Sequence, residues 1–224
     1  MPPRVVILIF FGLFLLGAPA KAADLFDEFA DDWRTHWHEE KFFTKATRYE
    51  VLIEDGRRVL HGVSQSAHAG LVRAIEVKAP AQARLDWRWK VLAPLTGNTR
   101  ERERAGDDFT ARVFVVFETS SIPLRTRAIN YVWAAHEPVG AVFPSPYTKN
   151  VAMIVVRSGP VDAGRWCGES RDVLADYRQF FGTAPTQISA VAVLVDTDNT
   201  GRAAEAWFAD LFLVTTPPLS PVQR

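Results

Sequence analysis

Seven consecutive residues, Leu85-Asp86-Trp87-Arg88-Trp89-Lys90-Val91, alternate apolar and charged without a break. Side chains of a β-strand point to opposite faces in turn. This run therefore puts Leu85, Trp87, Trp89 and Val91 on one face and Asp86, Arg88 and Lys90 on the other. No helical stripe has that period. A strand with one apolar and one charged face belongs to a sheet that is packed on one side and wet on the other, which is the habit of antiparallel sandwiches.

Further short runs repeat the theme along the chain. Residues 48–54 lead into Asp55-Gly56, a strong hairpin turn signal, and 58–64 form the return strand. Strands are expected at 70–77, from Ala111 to Phe117, and at 128–135, 151–157, 188–195 and 206–214, with residues 24–29 a loosely alternating candidate for the first. The stretch 137–147, with Pro138, Gly140, Pro144 and Pro146, reads as a loop. One helix is expected, over 171–181. Val173, Leu174, Tyr177, Phe180 and Phe181 form its single apolar stripe, Ser170 is its candidate N-cap and Gly182 its stop. The sum is an all-β, antiparallel β-sandwich over residues 23–214 with one packed α-helix, in a single domain, followed by a Pro-rich tail at 215–224 that is expected to be loose.

Residues 1–22 fall outside that domain. Arg4, an apolar run from Val5 to Leu16 and the small residues around Ala18-Pro19-Ala20 stand in the order of a secretory signal peptide. As a helix the apolar run would be roughly 18 Å long, short of the about 30 Å a membrane span needs. The expectation is an exported, periplasmic or secreted protein with no transmembrane segment in its mature chain. The full chain carries 26 basic and 26 acidic residues, and without Arg4 and Lys21 it is slightly acidic, which gives nucleic acid no electrostatic footing. Cys167 is the only cysteine, so an intrachain disulfide is excluded; beside Trp166 it reads as a small half-buried hydrophobe.

Polar residues set into these apolar strands are the candidate site. Asp107 and Asp108 open the buried-looking strand that holds Arg112. Asn130 alternates with Tyr131 and Trp133, and Arg157 ends an apolar run. Charges in such strands need partners, and rings beside Arg, Asp and Asn suit a sugar, although the same rings also serve as sandwich core. Asp107 or Asp108 could instead join a distant acid, Glu205 or Glu169, in glycosidic catalysis; two neighbours on one strand cannot face each other across a sugar. Asp196, Asp198 and Asn199 lead to Gly201 with the spacing of the first half of a calcium loop, which makes calcium the candidate ion. Position twelve of that loop is Trp207, not a glutamate, and a plain polar turn explains the same letters. His36 and His38 would share a face on a strand. No nucleophile elbow, zinc-protease helix, phosphate loop or dinucleotide fingerprint is present.

Gly106-Asp107-Asp108-Phe109 with Ala111-Arg112-Val113, then Tyr131-Val132-Trp133, Val156-Arg157-Ser158-Gly159, Arg171-Asp172-Val173, Asp176-Tyr177-Arg178 and Asp196-Thr197-Asp198-Asn199-Thr200 resemble a family of exported bacterial proteins known as domain of unknown function 3047. That resemblance implies a bacterial envelope location and brings no activity. More distantly, Leu25-Phe26-Asp27-Glu28-Phe29 and Trp207-Phe208-Ala209-Asp210-Leu211 are similar to the opening and closing strands of galactose-binding-like jelly rolls of carbohydrate-binding modules. That likeness implies a jelly-roll course, a glycan ligand and a structural calcium. The resulting expectation is a non-catalytic sandwich that binds a glycan or another envelope polymer through Asp107, Asp108, Arg112, Asn130, Tyr131, Trp133 and Arg157. A glycan hydrolase or lyase and a periplasmic protein scaffold are the alternatives.

Overall fold

The computed structural model describes residues 25–27, 29–41, 45–78, 80–117 and 126–216; the expected signal segment at 1–22 and the tail beyond Thr216 lie outside them. Among the described residues, thirteen strands form two sheets. The first sheet holds β1 (Leu25–Asp27), β3 (Arg48–Glu54), β4 (Arg57–Gln65), β6 (Gln82–Val91), β11 (Cys167–Asp172) and β13 (Ala203–Thr216), in the order β11-β6-β13-β4-β3 with β1 also on β13. The second holds β2 (Trp37–Lys41), β5 (His68–Lys78), β7 (Ala111–Phe117), β8 (Arg127–Ala134), β9 (Val142–Pro144), β10 (Val151–Ser158) and β12 (Gln187–Asp196), in the order β2-β5-β12-β7-β8-β10-β9. The chain crosses repeatedly between the sheets, as in a jelly roll, and one helix, α1 (Val173–Phe181), packs on the sandwich. No helix among the described residues is long and apolar enough to cross a membrane.

The alternation in β6 sets the core. Trp87 and Trp89 turn inward and meet Tyr131 and Trp133 from β8, with ring centroids 5.2 Å apart for Trp87–Tyr131 and 5.7 Å for Trp89–Trp133. All four are buried. Each such ring contributes roughly 2–3 kcal/mol by leaving water. Tyr49 bridges the sheets. Its hydroxyl donates to the Ala69 carbonyl at 2.8 Å and accepts from the Val195 amide at 3.1 Å. Gly62 makes room for that ring, because a Cβ there would lie 2.8 Å from it.

Three local features differ from the sequence expectation. The helix starts at Val173 and its N-cap is Asp172, whose carboxylate accepts from Leu174 and Ala175 at 3.1 and 2.9 Å. Ser170 belongs instead to β11, a short strand paired with β6 whose Gly, Ser and charged residues give no strand signal. The loop expected at 137–147 contains β9, an edge strand of three residues that tolerates Pro144 because its outer side pairs with nothing in the sheet. Finally, β10 runs parallel to β8, the single parallel pair among the described strands. Gly182, with φ +70°, ends the helix as expected.

Candidate functional site

Two polar constellations stand out, on opposite sides of the sandwich. The first lies on the outer face of the second sheet, where β5, β12 and β7 end together. His68 pairs in register with Asp196, and Arg112 with Leu194, two residues before Asp196. The Arg112 guanidinium grips Asp196 with both ends of its fork, Nε donating to Oδ1 at 2.9 Å and Nη2 to Oδ2 at 2.7 Å. It also donates to the Asp107 carbonyl and, at 3.3 Å, to the Asp107 carboxylate. The Phe109 amide donates to Asp196 Oδ1 at 3.2 Å. Asp108 holds the Asp196–Gly201 turn. It accepts from the amide and side chain of Asn199 at 3.2 and 3.1 Å and from the Thr200 amide at 2.6 Å. Asp198 accepts from His68 Nδ1 at 3.1 Å, and Asn199 Oδ1 accepts from the Tyr147 hydroxyl at 2.8 Å.

Burial governs the electrostatics of this node. Asp107, Asp108, Arg112 and Asp196 are all less than 5% exposed. Desolvation pushes the Asp107 carboxyl up to about 7, only partly opposed by Arg112. Burial likewise raises Asp196. Asp198 is also disfavoured by burial, but its hydrogen bond to His68 and the charge of that ring carry it below the usual carboxylate range. His68 moves up in return, the two aspartates outweighing its own desolvation.

The oxygens of this node do not fit calcium well. His68, Asp196 and Asp198 bring one potential ligand atom each to within 4.8 Å of one another. Yet both oxygens of Asp196 face the guanidinium, Asn199 Oδ1 takes the Tyr147 proton, and the third member is a nitrogen ligand where calcium prefers oxygen. A divalent ion at Asp196 would have to displace, or sit against, a buried cation.

The second constellation lies on the outer face of the first sheet, where the charged side of the β6 alternation points. One row crosses four strands in register: Glu50 on β3 beside His61 on β4, His61 beside Trp207 on β13, and Trp207 beside Lys90 on β6. Trp166, just before β11, completes it. Trp207 stacks on His61 with centroids 4.7 Å apart and planes 15° from parallel. The Lys90 ammonium lies 4.4 Å from the Trp207 centroid and 5.3 Å from that of Trp166, and Arg88 sits 5.1 Å from Trp166. His61 Nε2 hydrogen bonds to Glu205 at 2.7 Å, and its Nδ1 faces Glu50 at 3.5 Å. Arg88 pairs with Asp210 at 3.2 Å, and Lys90 pairs with Glu54.

Lys90 and Glu54 stand on β6 and β3, with β13 and β4 between them, and their side chains meet across those strands. The face is a polar patch that carries two half-buried indoles and an imidazole, with carboxylates around them.

A family model for proteins of unknown function (DUF3047) matches residues 35–212. The chain belongs to this family. No curated protein matches it. Among solved structures, the family 11 carbohydrate-binding module of the cellulosomal cellulase Lic26A-Cel5E of Clostridium thermocellum is 8% identical, with a TM-score of 0.49 over 90% of this chain and 100% of that one. The xyloglucanase domain of NopAA, a type three effector from Sinorhizobium fredii, is 9% identical, with a TM-score of 0.48 over 89% and 100%. A family 61 module, TmCBM61, solved in complex with beta-1,4-galactotriose, is 8% identical, with a TM-score of 0.40 over 84% and 90%.

In this DUF3047 chain the residues singled out from sequence separate into four places. Asp107, Asp108, Arg112, Asp196, Asp198 and Asn199 do meet, in the buried node. Tyr131 and Trp133 are 0% and 1% exposed and belong to the core, so they offer no surface to a ligand. The Tyr131 hydroxyl donates to Asp176 at 2.7 Å, and Trp133 Nε1 to the Gly159 carbonyl at 3.2 Å. Asn130 is buried on the opposite face of β8, with its amide against the Met153 sulfur at 3.3 Å. Arg157 closes one edge of the sandwich, bonded to Glu169 at 2.6 Å and Asp162 at 2.9 Å. The acids considered as catalytic partners, Glu205 and Glu169, stand on the first sheet, while Asp107 and Asp108 lead into the second. His36 ends a short 3-10 turn and only His38 lies on β2, so they form no strand pair. The patch on the first sheet was missed because its residues come from five separated segments. Its one sequence signal was the charged side of the 85–91 alternation.

Proposed function

We propose that this protein is an exported, non-catalytic binder of a neutral glycan, and that the ligand lies on the patch across Glu50, His61, Trp207, Lys90 and Trp166. The observation that carries this reading is the in-register row itself. Both faces of the Trp207 ring are taken, by His61 and by Lys90, so the half-buried Trp166 is the indole that gives the apolar CH face of a sugar a surface, and the surrounding carboxylates accept bonds from its hydroxyls. The charge pattern favours a neutral ligand. Lys90, Arg88 and His61 each already face a carboxylate, Glu54, Asp210 and Glu205 respectively, so an acidic sugar would meet rim carboxylates and no unpaired cation among these three.

The buried node supports binding over hydrolysis. Both Asp108 oxygens are committed to the Asn199–Thr200 turn, and Asp107 is buried against Arg112. Neither is presented to a polymer. Export rests on the order of Arg4, the apolar run to Leu16 and Ala18-Pro19-Ala20.

The test is a glycan array that includes neutral and acidic polysaccharides, probed with the mature protein in calcium and in chelator. Selective binding to a neutral class is the expected result. Silence across the array on folded protein, or preference for uronate-rich polymers, would overturn the reading.

A further inference from the structure

The Asp196–Gly201 loop has the lettering of a cation site but already contains a cation. We infer that the Arg112 guanidinium is the resident cation of this loop, held there in place of a divalent metal ion.

Three observations carry the inference. The first is geometric. Arg112 meets Asp196 through two bonds, at 2.9 and 2.7 Å, the planar fork matching the planar carboxylate. The second is the accounting of oxygens. The carboxylates of Asp108 and Asp198 and the amide oxygen of Asn199 each accept from a group of this chain: the Asn199 and Thr200 amides, His68 and the Tyr147 hydroxyl. The third is continuity with the fold. Arg112 comes from β7, in register with the end of β12, so the same contact that neutralises Asp196 also ties the loop to the neighbouring strand. A metal bound by the loop alone would supply charge but not that tie. Asp107 is the one carboxylate left with only a long contact to Arg112, at 3.3 Å. Burial also raises its pKa to about 7, which weakens its claim on the guanidinium relative to Asp196.

Removing the guanidinium frees the carboxylates of Asp196 and Asp107, which it had engaged, with those of Asp108 and Asp198 still held by the loop and His68. An Arg112→Met variant therefore gains affinity for a hard divalent cation that the wild type does not have.

The experiment is thermal unfolding of the full chain and of Arg112→Met and Arg112→Lys, each in calcium chloride and in a chelator. The wild type is expected to melt at the same temperature in both. Arg112→Met should melt at least about 6 °C lower in chelator, since breaking a buried pair in a domain of this size costs that much or more. Calcium should restore part of the loss. Arg112→Lys, a point charge without the fork, should fall between. A wild type stabilised by calcium, or destabilised by the chelator, would overturn the inference. So would an Arg112→Met protein that melts like the wild type, or one that calcium does not raise. If Arg112→Met does not fold, the wild-type comparison and Arg112→Lys still decide.

Discussion

Asp107 makes the protein's stability fall as pH rises, and Asp107→Asn removes that dependence. The Asp107 carboxyl is buried and pushed from 3.8 up to about 7, chiefly by desolvation. In the unfolded chain the group loses its proton near pH 4. In the folded chain it keeps the proton until about pH 7. Between these values the folded state binds more protons, so raising the pH favours unfolding. The full effect is about 4 kcal/mol, at 1.36 kcal/mol per pKa unit. It is absent below pH 4 and complete above pH 7. Between pH 5 and pH 8 the part that develops is about 2–3 kcal/mol, a large share of a typical domain stability of about 5–15 kcal/mol. Asparagine keeps the oxygen that faces Arg112 and cannot ionise. Urea unfolding of both proteins at pH 5, 6, 7 and 8 checks this. The stability of Asp107→Asn relative to wild type should rise by about 2–3 kcal/mol across the series. A difference constant within about 0.5 kcal/mol would refute the reasoning, because it would mean that Asp107 titrates alike in both states.

Other parts of the fold give sharper mutational tests. Glu101 is buried and its carboxylate accepts from the amides of Ala135, His136 and Glu137 at 2.6, 2.9 and 2.8 Å. Glu101→Gln turns an NH₂ toward those donors and should cost about 1–3 kcal/mol, read as a lower urea midpoint with unchanged slope. Asp172→Ala removes the N-cap of α1 and should cost about 1 kcal/mol, or roughly 2–4 °C of melting temperature.

The sandwich was legible because period-two alternation and turn residues are local. The 85–91 run announced both faces of β6, and Asp55-Gly56 announced the β3–β4 hairpin. The short strands β9 and β11 were not legible, since Gly, Ser, Pro and charges there are recruited by their neighbours. The node was half legible. Buried-looking strands carrying Arg112 and Asp107 signalled that partners must exist, but that Arg112 would reach Asp196, 84 positions later, is a matter of strand order. Tyr131 and Trp133 misled for a related reason. β8 is buried along almost its whole length, so the choice between core and platform rested on which sheet lay opposite. The patch on the first sheet was least visible, because register, not sequence proximity, lines up Glu50, His61, Trp207 and Lys90.

The proposed ligand site is the outer face of the first sheet and not the buried acids. Trp166 is half-buried, precedes β11 and touches that face through Arg88 and Lys90. The most direct measurement is a calorimetric titration of wild type and Trp166→Ala with the neutral glycan the array selects, both proteins first shown to melt alike. Trp166→Ala is expected to lose at least about tenfold in affinity, equivalent to about 1.4 kcal/mol. Equal affinity in the two proteins would contradict it and move the ligand elsewhere on the molecule.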